Sequence, residues 1–270
     1  MPPPNDTRAG ATAISLATPR STLAANTTNA VNNTAGSCAC TSGRDVFFSF
    51  TLAQREIVYA DTIGATWNTS LFLQDSAGAN IAATGLPMGG STCNDNGGLT
   101  GCALPVAPGV SQIMANLPAG TYYLVLSGCG LGVANINFQH LPVGNGPLAF
   151  LPAGVNLVVG GATAGVGVTS GACAGAGPEN GYYWWSCPAY AGGTFNATTC
   201  TRAAWDTVLY QRSAARATFE VCNDDACALQ STISATGATA VPAGAGIHTF
   251  HVDGFSAAAL GAYTTLYTRP

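Results

Sequence analysis

Trp205-Asp206-Thr207-Val208-Leu209-Tyr210-Gln211 is the stretch on which the reading of this chain turns. Its β-branched and aromatic residues favour a strand, and turn residues stand on either side. The same pattern occurs earlier as Trp67-Asn68-Thr69-Ser70-Leu71-Phe72-Leu73-Gln74.

Four further landmarks recur around each copy in the same order. Each is followed by a Cys-Asn-Asp segment, read as a loop: Cys93-Asn94-Asp95-Asn96-Gly97 and Cys222-Asn223-Asp224-Asp225. A second cysteine then follows, Cys102 or Cys227. Next comes a Pro-Ala-Gly turn with an apolar strand, Pro118-Ala119-Gly120 into Thr121-Tyr122-Tyr123-Leu124-Val125, and Pro242-Ala243-Gly244 into His248-Thr249-Phe250-His251-Val252. Upstream, Val46-Phe47-Phe48-Ser49-Phe50-Thr51 corresponds to Tyr182-Tyr183-Trp184-Trp185-Ser186. Recurrence in a constant order indicates an internal duplication. Pro and Gly cluster in Leu141-Pro142-Val143-Gly144-Asn145-Gly146-Pro147, which places a boundary there and predicts domains over 1–144 and 145–270. No segment carries a sustained helical period, so the fold class is all-β, two tandem β-sandwich domains each stacking two sheets.

Composition agrees and narrows the function classes. The chain has 270 residues, enough for two cores, and only 7% of them are charged. Its eight basic residues are all Arg, dispersed along a chain of net charge -4, which excludes a nucleic-acid or anionic-membrane partner. No apolar stretch reaches the roughly 20 residues a membrane helix needs. The opening Met1-Pro2-Pro3-Pro4-Asn5 does not read as a signal peptide, since it lacks a basic segment followed by an apolar one.

Ten cysteines, at 38, 40, 93, 102, 129, 173, 187, 200, 222 and 227, occur without a zinc or redox spacing. They predict disulfides and an extracellular or cell-surface location. The simplest pairing is local, Cys93 with Cys102 and Cys222 with Cys227. Cys38, Cys40 and Cys129 then remain in one half and Cys173, Cys187 and Cys200 in the other, an odd number in each. Either a bridge joins the halves or a thiol of each bonds another chain.

These landmarks resemble the bacterial pre-peptidase C-terminal domain. The opening Asn5-Asp6-Thr7-Arg8, the strand Gly43-Arg44-Asp45-Val46-Phe47-Phe48, the Trp205 to Tyr210 strand, the Cys-Asn-Asp-Asp segment and the Ala-Gly-Thr-Tyr-Tyr strand all match in order. The resemblance covers 5–139 and, more loosely, 150–268, where the opening is missing. It implies a jelly-roll-like, non-catalytic sandwich carried by secreted peptidases and surface proteins, some of them calcium dependent.

Asp206, Asn223, Asp224 and Asp225 offer the hard oxygens that Ca²⁺ prefers, with Asp95 as the counterpart in the first copy. The competing reading is that Asn and Asp here only form turns. Tyr182, Tyr183, Trp184 and Trp185 place two rings on each face of a strand, so one pair either packs or stacks on a sugar or partner surface. His251 and Asp253 share a strand face while His248 points the other way, which disfavours a metal pair; with His140 they read as solvated histidines. No Gly-x-Ser-x-Gly elbow and no phosphate loop is present, and Gly160-Gly161-Ala162-Thr163-Ala164-Gly165 reads as turns. The expected function is a non-enzymatic binding or adhesion module that contacts extracellular polysaccharide or protein. A structural subunit pairing with copies of itself is the alternative, and an accessory domain of a secreted peptidase the third reading.

Overall fold

The computed structural model describes residues 1–38, 43–104, 109–214, 219–235 and 243–270. Cys40, and Pro242 of the second Pro-Ala-Gly turn, lie outside the described residues. The chain divides into two compact units, Met1–His140 and Leu141–Pro270. That division falls inside the strand Val133–Pro142, a few residues before the boundary expected from the Pro and Gly cluster.

The first unit contains a short 3-10 turn, Arg8–Gly10, and then β1 (Thr12–Ala13), β2 (Arg20–Asn26), β3 (Val46–Leu52), β4 (Glu56–Asp61), β5 (Ser70–Asp75), β6 (Cys93–Asp95), β7 (Gln112–Leu117), β8 (Gly120–Ser127) and β9 (Val133–Pro142). The second contains β10 (Leu148–Phe150), β11 (Gly154–Ala162), β12 (Asn180–Ser186), β13 (Phe195–Thr198), β14 (Thr207–Ser213), β15 (Phe219–Asn223), β16 (Thr232–Ala235), β17 (Gly246–Gly254) and β18 (Ala262–Arg269). The strand orders are β1-β3-β8-β5-β6 and β2-β9-β4-β7 in the first unit, and β10-β12-β17-β14-β15 and β11-β18-β13-β16 in the second.

Each strand of the second unit occupies the position of its counterpart in the first, so the duplication read from the landmarks extends to the whole topology. β2-β9-β4-β7 stacked on β3-β8-β5-β6 is the order of a jelly roll, with β1 added parallel to β3 at one edge. β10 adds to β12 in the same way. The fold is therefore all-β, two jelly-roll sandwiches.

Strand alternation sorts the side chains. In β3, Val46, Phe48, Phe50 and Leu52 enter the core between the sheets, whereas Phe47 points outward to Phe72 and Val125. In the second unit Tyr182 and Trp184 of β12, Leu209 of β14, and Phe250 and Val252 of β17 fill the equivalent space with Phe195 and Tyr267. Trp184 stacks on Phe195 at 5.2 Å and on His248 at 5.1 Å, ring contacts that contribute about 0.5–1.5 kcal/mol each beyond simple burial.

The outer face of each five-stranded sheet is covered by the connection that precedes its second strand. In the second unit this is the segment between β11 and β12. Ala176 and Gly177 donate their backbone N–H groups to the Gly254 carbonyl, and Arg212 donates to Thr169 Oγ1 at 2.9 Å and to the Ser170 carbonyl. In the first unit Asp6 accepts from the Val31 amide at 2.6 Å, and Asp45 accepts from the amides of Asn33 and Thr34 at 2.9 Å each.

A disulfide fastens each cover to the edge strand. Cys38 bonds Cys93 with Cα atoms 5.7 Å apart, and Cys173 bonds Cys222 at 5.6 Å. The local pairs Cys93 with Cys102 and Cys222 with Cys227 are thereby overturned. Cys93 and Cys222 sit on edge strands that the covering loops reach, while Cys227 bonds Cys200 at 5.9 Å. Cys102, Cys129 and Cys187 are also disulfide-bonded, and no described cysteine is free. Gly36 and Gly171 flank the two equivalent bridges, where a Cβ would lie 3.0 Å from Cys93 Sγ or 2.5 Å from Cys222 Sγ and against the ring of Phe72 or Tyr210. The strand assignments correct two further expectations: Cys93 to Asp95 form β6 rather than a loop, and Gly160 and Gly161 lie within β11.

Candidate metal centre in the second unit

The strand quoted at the outset begins at a buried hydroxyl cluster that sequence reasoning missed. Thr199 Oγ1 and Thr207 Oγ1 are 2.7 Å apart, and the Ser231 amide donates to both, at 3.1 and 3.2 Å. Ser231 Oγ reaches the carbonyl oxygens of Thr207 and Asp224. The first unit repeats this arrangement with Thr62 and Thr69 at 2.6 Å, the Ser111 amide on Thr62 Oγ1 at 2.9 Å and Ser111 Oγ on the Thr69 carbonyl at 2.6 Å. Its only trace in the sequence is the threonine two places after each tryptophan.

This cluster holds the end of β15 beside the start of β14 and so assembles three carboxylates. Oxygens of Asp206, Asp224 and Asp225 lie within 4.8 Å of one another. Asp206 Oδ1 and Asp224 Oδ1 are buried and have no hydrogen-bond partner. Burial raises the pKa of both carboxyls above the usual range, reinforced for Asp206 by the charge of Asp225 and for Asp224 by Asp225 and Asp206. A divalent cation would offset that repulsion and supply a partner for the two orphaned oxygens. The segment is anchored on both sides by disulfides, Cys173 to Cys222 before it and Cys200 to Cys227 after it.

Asn223 and Asp95 fall outside this trio. Asn223 Oδ1 accepts from the Thr232 amide at 2.9 Å, so it ties β15 to β16. Asp95 belongs to the first unit, where Asn68 and Asn96 stand at the positions of Asp206 and Asp225. Asn68 Oδ1 and Asp95 Oδ1 are likewise buried without a partner, and burial raises the Asp95 pKa. The first unit thus retains the geometry with one carboxylate in place of three.

The aromatic run, for which the sequence leaves packing and ligand contact both open, is packed within the second unit. Tyr182 and Trp184 are core residues, and Tyr183, on the opposite face, is fully buried against Phe150 at 5.9 Å. Trp185 is half-buried and packs on Phe150 at 5.2 Å. Of the two alternatives for the outward pair, packing is the one observed, because β10 adds alongside β12 and lays Phe150 against both rings.

The histidines are buried rather than solvated. His140 Nδ1 lies 2.6 Å from Glu56 and its Nε2 3.0 Å from the Thr18 carbonyl. His248 points into the core and His251 outward, where it stacks on Tyr210 at 4.6 Å. Asp253 accepts from Tyr210 Oη at 3.3 Å, and burial pushes its pKa up to about 7. Burial lowers the His248 pKa to about 3.

No family model and no curated protein matches the chain. Among solved structures, similarity is found to a protein of Eubacterium rectale described as secreted, with 11% identity, a TM-score of 0.27 and coverage of 91% of this chain and 73% of that one. The CUB1-EGF-CUB2 domains of rat MASP-1 align at 7% identity and a TM-score of 0.23, covering 95% of this chain and 99% of that one. With both TM-scores below 0.5, neither likeness extends to a shared activity.

Proposed function

We propose that this chain is an extracellular, non-catalytic binding module of two jelly-roll sandwiches that contacts polysaccharide or protein outside the cell, with Ca²⁺ held at Asp206, Asp224 and Asp225. The observation that carries the metal is the convergence of three carboxylates, two with buried oxygens lacking any partner, on a segment clamped between two disulfides. Disulfides that fasten both sandwiches support an oxidising location. The non-catalytic reading is supported by the histidines, which are hydrogen-bonded to Glu56 or stacked inside the protein.

Calorimetric titration of the whole, disulfide-bonded chain with CaCl₂ tests the metal. One equivalent is expected to bind, and a concentration 100-fold above Kd stabilises the fold by about 2.7 kcal/mol. Asp206→Asn and Asp224→Asn are each expected to abolish the heat. No heat and no thermal shift at millimolar CaCl₂ would remove calcium from the proposal.

A second reading, a subunit that pairs with copies of itself, is favoured by β11. This edge strand carries no charge or proline and exposes Val155 and Val158. Uncovered, uncharged edges are templates for strand addition.

A further inference from the structure

We infer that the first unit has a binding site for a sugar carboxylate, in a cavity of about 310 Å³ lined by Arg8, Asn33, Thr34, Phe47, Gln74 and Gly78. The inference rests on the reading of the chain as a module that binds polysaccharide, and names the chemistry one of its sites selects.

The cavity is formed by elements whose positions are set independently. Asp6 and Asp45 hold the 31–34 segment through its amides, which places Asn33 and Thr34 on one wall. Gln74, 2% exposed, forms the floor and donates to Thr34 Oγ1 at 2.9 Å and Asn80 Oδ1 at 3.1 Å. Asn80 in turn donates to the Ala35 carbonyl at 2.9 Å. Phe47 supplies an apolar surface from the outer face of β3. Arg8 closes the other side, its guanidinium 5.8 Å from the centre of the Tyr123 ring and directly over Gly78, where the positive φ of 86° and the absence of a Cβ leave room for it.

Arg8 forms no ion pair among the described residues, in contrast to Arg212, which pairs with Glu220. The second unit gives the contrast. There Arg212 stands where Gln74 stands in the first, lies 4.7 Å over Tyr210 and is neutralised by Glu220 at 2.7 Å. The first unit therefore presents a guanidinium without an ion pair to a polar cavity on this face of the sandwich.

The ligand class follows from the donors. A guanidinium fork matches a planar carboxylate through two parallel hydrogen bonds. With one cation in the lining and the Asp6, Asp45 and Asp75 carboxylates nearby in the surrounding turns, a singly charged anion is favoured over phosphate or sulfate. Asn33 and Gln74 already donate their amide hydrogens within the chain, to the Asp6 and Val31 carbonyls and to Thr34 and Asn80, so they offer sugar hydroxyls their carbonyl oxygens, Thr34 offers its hydroxyl hydrogen, and the edge of the buried Phe47 closes the wall. Together these describe a uronic acid residue, free or within an acidic polysaccharide.

Titration of the whole oxidised chain with glucuronate, galacturonate and a galacturonate oligomer, followed by calorimetry, tests this. Uronates are expected to bind at least ten-fold more tightly than glucose or galactose, and Arg8→Ala and Arg8→Lys to weaken them ten-fold or more with an unchanged thermal midpoint. Tighter binding of the oligomer would support the polymer as the source of the carboxylate, and equal binding the free sugar acid. Equal affinity for glucose, full competition by sulfate, or unchanged binding by Arg8→Ala overturns the site. Polysaccharide binding that persists without dependence on Arg8 overturns the cavity alone, whereas an absence of binding to any polysaccharide overturns the module reading with it.

Discussion

His248 and Asp253 lie on one strand, on opposite faces of the sheet, and both are fully buried, which disfavours the charged form of each. A base whose folded pKa is lowered from 6.5 to about 3 contributes stability above pH 6.5 that is lost as pH falls towards 3. An acid whose folded pKa is raised from 3.8 to about 7 contributes its stability below pH 3.8, and loses it as pH rises towards 7. Between about pH 4 and 6.5 the two slopes cancel, because the unfolded chain binds a proton at the histidine and releases one at the aspartate. Urea denaturation across this range is expected to show little pH dependence from the pair. Asp253→Asn should unmask a fall of up to about 1.4 kcal/mol for each unit of acidification. His248→Gln should reveal the opposite slope. Parallel profiles for the two variants would contradict this assignment.

Among the elements, β11 is an edge strand with no fully buried residue. It pairs with β18 on one side, and its register shifts between Gly154 and Leu157, around Asn156 with its positive φ of 54°. That bulge disrupts regular pairing at one end, as bulges do at sheet edges, and leaves Leu157 to Ala162 as the straight portion. If the chain assembles with itself, Val158→Lys is expected to abolish the association seen by sedimentation at high concentration while changing stability by no more than about 0.5 kcal/mol, because Val158 is exposed. A parent chain that sediments as a monomer at every concentration would rule out the assembly reading.

For the whole molecule, the disulfides constrain an unfolded chain that has few charges to keep it extended. The Cys173–Cys222 bridge closes a separation of 49 residues and Cys38–Cys93 one of 55. Loops of this size correspond to about 4 kcal/mol of stabilisation each in the chain-entropy description. Cys173→Ser with Cys222→Ser is therefore expected to lower the unfolding free energy by about that amount and to weaken the calcium binding proposed for Asp206, Asp224 and Asp225, since the acidic segment loses one of its two anchors. Peptide mapping without reduction should recover Cys38 with Cys93, Cys173 with Cys222 and Cys200 with Cys227. Recovery of Cys93 with Cys102 would contradict the structure.

The all-β class, the duplication and the acidic residues at 206, 224 and 225 were legible in the sequence, because strand alternation, turn residues and repeated landmarks are local signals. The disulfide partners were not, since Cys93 and Cys222 are joined to cysteines 55 and 49 residues away, brought close by loops folding over a sheet. Whether Tyr183 and Trp185 faced water was also beyond the sequence: alternation assigns a face, but only the placement of β10, with Phe150, decides what covers it. The Thr199, Thr207 and Ser231 cluster and the Arg8 cavity escaped notice for the same reason. Each joins residues from distant strands or loops, and distance along the chain conceals what packing brings into contact.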